Sequence, residues 1–89
     1  MADQFSQLYE QVKKATEDLF VAAGNDRENQ KKAIGQAILV YRTGHRITQQ
    51  DLAEKLGVTK MEIIRWEGAR NMPSQLAIAK IKELGIIKE

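Results

Sequence analysis

The chain has 89 residues, of which 43% are hydrophobic and 29% are charged, and it contains no cysteine. This length allows one small domain, or a small domain with an added helix, but not two independent hydrophobic cores. The absence of cysteine excludes disulfides, thiol catalysis and cysteine-ligated zinc, and it is compatible with a reducing cytoplasm.

The apolar segments are short, since the longest apolar run near the middle covers only residues 37–41, against about 20 residues for a transmembrane helix. The N-terminus is acidic and polar where a signal peptide is basic. We therefore expect a cytoplasmic protein without membrane contact.

Charge is distributed unevenly along the chain, whose net charge is +2. Residues 1–30 have 3 basic and 6 acidic side chains, whereas residues 31–89 have 11 basic and 6 acidic ones. This balance is typical of a phosphate-binding module with a less basic extension.

The first predicted element is an amphipathic helix over about residues 4–23, in which apolar residues recur every three or four positions. Five of these residues fit the first and fourth positions of successive heptads: Phe5, Leu8, Val12, Ala15 and Leu19. Such a stripe either packs on the core of its own chain or forms an interface with another protein.

A second helix is predicted from about residue 26 to residue 43. Asn25 and Glu28 have the spacing of a capping box, and Gly44 is placed to end the helix. His45 would then lie in the loop that follows. The predicted inward face consists of Ile34, Ala37, Ile38 and Tyr41.

Two short helices follow, each with its own start signal. Thr48 with Asp51, and Thr59 with Glu62, have the spacing of capping boxes. Gly57 lies between them, and a residue without a β-carbon readily takes the left-handed conformation that ends a helix. The predicted inward residues of this pair are Leu52, Leu56, Val58, Ile63 and Trp66.

The last predicted helix begins after a loop over residues 68–73, because Ser74 is a good N-cap after Pro73. Its predicted inward residues are Ala77, Ile78, Ile81 and Leu84, and the apolar pair Ile86 and Ile87 is expected to cover the core or an interface. The sequence therefore predicts an all-α fold, a five-helix-type bundle with a central helix-turn-helix, preceded by an amphipathic N-terminal helix.

This pattern resembles that of a known protein family. The residues that carry the resemblance are Gln49, Leu52, Ala53, Gly57, Val58, Ile63, Trp66, Glu67 and Gly68, preceded by Ile34, Gly35, Ile38, Tyr41 and Arg42. The pattern resembles the helix-turn-helix of the Cro and phage-repressor type, over about residues 33–86. Residues 1–30 lie outside it. The resemblance implies a DNA-binding domain over residues 25–89, preceded by the added helix of residues 1–24.

With Ile63 and Trp66 inward, helical rotation leaves four side chains of the second short helix facing outward, as base-reading candidates: Lys60, Met61, Ile64 and Arg65. The resemblance implies base contacts by Lys60, Met61 and Arg65, a phosphate or thymine contact by Thr59, and a phosphate contact by Gln49 at a helix N-terminus. Four other basic residues are further candidates for phosphate binding: Arg42, Arg46, Lys55 and Arg70. Among them we select Arg70 and leave the others open. Arg42 has an alternative role as an internal partner of Glu67.

The leading hypothesis is a repressor that binds palindromic double-stranded DNA as a homodimer. The alternative is an antitoxin that binds a ribonuclease toxin through residues 1–24 and represses its own operon. Because the resembling fold is complete without the first helix, we favour an interface role for Phe5, Leu8, Val12 and Leu19. We expect no cofactor, metal or enzymatic activity, since the single histidine has no paired group or ligand set.

Overall fold

A computed structural model describes residues 4–24 and 26–87, with side chains described for residues 7–15, 20–24 and 26–87. The described residues form five helices and no strand, so the predicted all-α fold is confirmed. The helices are α1 (Gln4–Ala23), α2 (Arg27–His45), α3 (Gln49–Leu56), α4 (Lys60–Glu67) and α5 (Gln75–Glu83). Within these ranges, no helix has the length and apolarity that a membrane crossing requires.

Helix α2 packs against both α1 and α4, while α3 packs against α4 and α5. The side chains buried most completely at these contacts are Ile34, Ile38, Leu52, Leu56, Ile63, Ile81 and Ile86. Burying an aliphatic side chain of this size contributes about 1.5–3 kcal/mol relative to leaving it in water. The predicted inward faces of α2, α3, α4 and α5 thus form one shared core.

The segment after α5 closes this core. Ile86 and Ile87 are both buried in it, so they cover the core of their own chain, one of the two roles expected for them. At the other end of the helix, the Ser74 hydroxyl accepts the backbone N–H of Ala77 at 3.2 Å, which confirms the predicted N-cap. Both ends of α5 are therefore held in place.

The start of α2 differs from the expected capping box. Asn25 lies outside the described residues, and the N-cap is Asp26, whose carboxylate accepts the backbone N–H of Asn29 at 3.2 Å. The Asn29 side chain also donates to that carboxylate at 2.9 Å. A residue with a short acceptor side chain can cap a helix from either of two adjacent positions. Here the second hydrogen bond, from the Asn29 side chain, favours Asp26.

The end of α2 was predicted wrongly at Gly44. The helix continues through His45 and ends at Arg46, which has the left-handed conformation with φ of 55° and donates its N–H to the Thr43 carbonyl at 3.2 Å. Gly44 serves a packing role instead, because a β-carbon built on it would overlap the Tyr9 ring of α1. The glycine therefore allows the Tyr9 ring of α1 to lie directly against the backbone of α2.

A second glycine allows α2 to approach α4. A β-carbon built on Gly35 would lie 2.5 Å from the carbonyl oxygen of Trp66 and 3.1 Å from that of Glu67. Backbone atoms cannot move aside as a flexible side chain can, so Gly35 sets the distance between α2 and the C-terminal end of α4.

The Gly44→Ala variant tests the packing role of Gly44. An alanine inside a helix normally stabilises by about 0.5–1 kcal/mol relative to glycine, but here the added methyl group displaces Tyr9. We expect the free energy of unfolding to fall by about 1–3 kcal/mol, measured by urea denaturation.

The same substitution in a Tyr9→Ala background is the control. With the ring removed, the alanine no longer overlaps it, and we expect Gly44→Ala to become neutral or stabilising by up to about 1 kcal/mol. Equal destabilisation in both backgrounds would show that the Tyr9 contact is not the reason for the glycine.

Candidate DNA-binding interface

The two short helices are each fixed by a capping box, as predicted. In α3, Asp51 donates its N–H to the Thr48 hydroxyl at 3.0 Å and accepts the N–H of Thr48 at 3.0 Å. In α4, Glu62 donates its N–H to the Thr59 hydroxyl at 3.2 Å and accepts the N–H of Thr59 at 2.9 Å. These reciprocal bonds satisfy backbone donors that the helices leave free.

The turn between α3 and α4 is short because Gly57 has a φ of 70° and directs its N–H back to the last turn of α3. Val58 donates its N–H to the Ala53 carbonyl at 2.9 Å, and its side chain packs against the core. The predicted role of Gly57 is confirmed. The turn sets the direction of α4 relative to α3.

Helix α4 has one buried and one exposed face. Ile63 and Trp66 are buried, whereas the four predicted base-reading residues are all exposed: Lys60, Met61, Ile64 and Arg65. Met61 has 52% of its surface exposed, although it is apolar. Such a surface can exclude water and contact thymine methyl groups, while Arg65 and Lys60 can donate hydrogen bonds to base edges.

The acidic Glu62 is explained by its capping role, since its carboxylate is bound to the N–H of Thr59. The Thr59 hydroxyl accepts one bond from the Glu62 N–H, and a hydroxyl can still donate its own proton. Thr59 is exposed at the N-terminus of α4. It is therefore able to donate to a phosphate oxygen.

The N-terminus of α3 borders an open basin that brings basic side chains together. Its lining residues are Arg42, Arg46, Ile47, Thr48, Gln49, Gln50 and Lys60. The backbone N–H groups of Gln49 and Gln50 have no acceptor among the residues that the structure describes. Free N–H groups at a helix N-terminus, beside cationic side chains, are well suited to an anion such as a phosphate.

Arg46 is a member of this basin that sequence reasoning left open. Arg46 is exposed, and it has the left-handed conformation because α2 ends at His45, two residues beyond the predicted end. Arg70 is exposed in the loop after α4, where its N–H donates to the Arg65 carbonyl at 2.9 Å. Lys55 is exposed in the last turn of α3 and does not line the basin.

The predicted pairing of Arg42 with Glu67 is present. Arg42 donates from Nε to Oε2 of Glu67 at 2.8 Å and from Nη2 to Oε1 at 3.2 Å. The side chains are 21% and 12% exposed, respectively. Arg42 therefore lines the basin as one member of a bidentate ion pair.

The predicted interface residues of α1 lie only partly within the described side chains. Leu8 and Val12 are exposed, with 61% of Leu8 accessible, while the side chains of Phe5 and Leu19 lie outside the described residues. A groove of about 360 Å³ runs between α1 and α2 beside them, and its lining is almost wholly apolar: Leu8, Tyr9, Val12, Leu39, Val40, Thr43 and Gly44.

Sequence reasoning missed the α2 side of this groove. Residues 38–41 are four consecutive apolar residues, and such a run places apolar side chains on more than one face of a helix. Ile38 faces the core, whereas Leu39 is exposed and Val40 is half-buried. The consecutive run was the signal that could have identified them.

His45 is placed differently from the prediction, since it is the last residue of α2 rather than a loop residue. Its ring lies 4.2 Å from the ring centroid of Tyr41 and 6.2 Å from that of Tyr9, which it meets at a right angle. Within the described residues, no group of three or more acidic or histidine side chains is arranged to hold a metal ion. The histidine thus belongs to an aromatic contact between α1 and α2.

The capping box of α3 is expected to make the folding stability depend on pH in the acid range. The backbone N–H of Thr48 holds the pKa of Asp51 below its usual value, and Lys55 contributes less. Because the folded pKa is lower than the unfolded value of about 3.9, the stabilisation is present above that pH and is lost as pH falls through the folded pKa.

We therefore expect urea unfolding between about pH 5 and pH 2.5 to show a shallower loss of stability in Asp51→Asn than in the wild type. Glu83→Gln removes a carboxylate from an exposed position of α5 and serves as the matched control. An unchanged pH profile in Asp51→Asn would contradict the assignment.

Comparison with known proteins places this arrangement in a family. A family model described as helix-turn-helix matches residues 38–84, which run from the second half of α2 through α5. No curated protein and no solved structure gives a significant match to the chain. Because the family match covers more than half of the chain, the protein belongs to the Cro/C1-type helix-turn-helix family of DNA-binding transcriptional regulators.

Proposed function

We propose that the protein is a cytoplasmic repressor that binds a palindromic operator as a homodimer, with α4 in the major groove. The observation that carries this proposal is the exposed face of α4, which presents two cationic and two apolar side chains beside the basic basin at the start of α3. A major groove admits a helix, and its base edges offer acceptors and methyl groups to such a face.

The base-reading roles follow from side-chain chemistry. The Arg65 guanidinium forms two parallel bonds to O6 and N7 of a guanine, and the Lys60 ammonium donates to acceptors near the start of α4. Met61 and Ile64 have no donor, so they contact thymine methyl groups and exclude water. This combination distinguishes base pairs by both hydrogen bonding and shape.

The phosphate contacts surround this face. Gln49 and the free N–H groups at the start of α3 bind one phosphate, Thr59 binds another through its hydroxyl, and Arg70 approaches the backbone from the loop after α4. These contacts are independent of base sequence, and they orient α4 in the groove.

A dimer follows from the size of the reading element. Helix α4 has 8 residues and is about 12 Å long, so it spans only a few base pairs. Two copies with recognition helices roughly 34–36 Å apart read two half-sites and supply the remaining specificity. The groove between α1 and α2, with the exposed Leu8 and Val12, is the surface that we assign to the second copy.

The alternative function is that of an antitoxin, in which residues 1–24 bind a ribonuclease toxin. The same exposed apolar surface of α1 favours this candidate, because an almost wholly apolar groove suits an apolar segment of another protein. The two functions share the DNA-binding surface and differ in the occupant of the groove.

Arg65→Ala tests the recognition surface. Loss of a bidentate guanine contact is expected to reduce discrimination between operator and random duplex by about 1–3 kcal/mol. The operator is obtained by selection from a random duplex pool, and both affinities are measured by gel shift at one salt concentration.

The matched control is Arg27→Ala, which removes an equal charge from the first turn of α2. It is expected to leave the ratio of specific to non-specific affinity unchanged. If Arg65→Ala retains the full ratio, α4 is not the reading element in the orientation proposed.

The Leu8→Gln/Val12→Gln variant tests the dimer surface. Both side chains are exposed, so the fold is expected to persist while sedimentation equilibrium shows a shift from dimer to monomer. Val21→Gln is the matched control, because Val21 is 56% exposed on the same helix but does not line the groove. A dimer that survives the double substitution, or a monomeric wild type, would rule out this interface.

A further inference from the structure

The carboxylate of Glu67 joins three elements of the DNA-binding unit. Glu67 is the last residue of α4, and its side chain is 12% exposed. It accepts two hydrogen bonds from Arg42 of α2, and its Oε1 atom also accepts Nε2 of Gln49, the first residue of α3, at 3.0 Å. Both carboxylate oxygens are thus bound by neighbouring helices.

This bond determines which end of the Gln49 amide faces the protein. A carboxylate can only accept hydrogen bonds, so it binds the NH₂ end of the amide and not the carbonyl end. One N–H of Gln49 is directed to Glu67, and the second N–H of the same group remains as a donor. A reversed amide would present its carbonyl oxygen to the Glu67 carboxylate, and two acceptors facing each other are repulsive.

The position of Glu67 is itself constrained. Its backbone carbonyl packs against Gly35 of α2, where there is no room for a β-carbon. Its side chain is held by the bidentate bond from Arg42, which also compensates its negative charge. Arg42 further reaches the Ile47 carbonyl from Nη1 at 3.5 Å, next to the N-cap of α3.

We propose that Glu67 is a positioning residue for DNA binding: it holds the Gln49 amide with its nitrogen ready to donate to a DNA phosphate, while Arg42 neutralises the carboxylate. This inference rests on the proposed phosphate contact of Gln49. It also links that contact to the reading helix, because the residue that orients Gln49 is the last residue of α4.

The test uses single phosphates of the selected operator, each replaced in turn by an uncharged methylphosphonate. In the wild type, replacement of the phosphate bound by Gln49 is expected to weaken binding about 10-fold, the effect of a hydrogen bond to a charged group. Gln49→Ala identifies that phosphate, because its replacement weakens binding less in the variant, where only the backbone N–H groups at the start of α3 still contact it.

Glu67→Gln is then expected to reduce the effect at the same phosphate to about 3-fold or less. A glutamine has one acceptor oxygen for three donors, so the Gln49 amide loses its fixed orientation. Replacement of the phosphates bound by Thr59 and Arg70 is expected to weaken binding as much as in the wild type. Glu83→Gln, which removes an equal charge from exposed α5, is expected to match the wild type at every phosphate.

The outcomes separate the inference from the function on which it rests. If Gln49→Ala leaves every phosphate effect unchanged, the proposed phosphate contact is wrong. If Gln49→Ala reduces the effect at one phosphate and Glu67→Gln does not reduce it, the positioning role is overturned. A uniform reduction at all phosphates in Glu67→Gln also overturns it, because that result indicates a general structural role.

A second variant tests the same inference if Glu67→Gln folds poorly. Arg42→Met/Glu67→Leu replaces both members of the ion pair with apolar side chains, an exchange that proteins often tolerate without loss of stability. It removes every side-chain acceptor that position 67 offers to Gln49. Replacement of the Gln49 phosphate is again expected to weaken binding less than in the wild type. If that replacement weakens binding by the full wild-type factor, the proposal is contradicted.

Discussion

The close approach of α2 to the C-terminal end of α4 is the contact on which the DNA-binding unit depends. Gly35 permits it, since a β-carbon there would collide with the carbonyl groups of Trp66 and Glu67. The approach buries Trp66 and brings Arg42 within hydrogen-bonding distance of Glu67. The inward side of α4 is thereby fixed, and the direction of its outward side follows from the helical rotation.

Helices α3 and α4 are too short to be stable alone. Each has 8 residues, whereas isolated helices shorter than about 12–15 residues are marginal in water. Their capping boxes satisfy backbone donors at both N-termini, and Gly57 ends α3. Burial of Leu52, Leu56 and Ile63 supplies the remaining stabilisation. The proposed recognition surface is therefore a product of tertiary packing as much as of local helix signals.

Helix α1 extends the family domain and has two different faces. Tyr9 packs on Gly44 and lies near His45, which attaches α1 to the end of α2 close to the α3 N-terminus. Leu8 and Val12 remain exposed beside Leu39. An apolar stripe on a helix adjoining a completed core is therefore divided between internal packing and a surface open to a partner.

The sequence by itself determined the number and type of helices, both capping boxes, the turn at Gly57 and the outward residues of α4. These features depend on neighbouring residues and on helical periodicity, which a linear pattern contains. The choice of Asp26 over Asn25 as a cap also depends on local bonds, those to Asn29. Only the tertiary structure decided the role of Gly44, because its partner Tyr9 lies on another helix, 35 positions earlier in the chain. The orientation of Gln49 by Glu67 likewise depends on two helix ends meeting in space, because hydrogen bonds between side chains 18 residues apart leave no periodic signal in the chain.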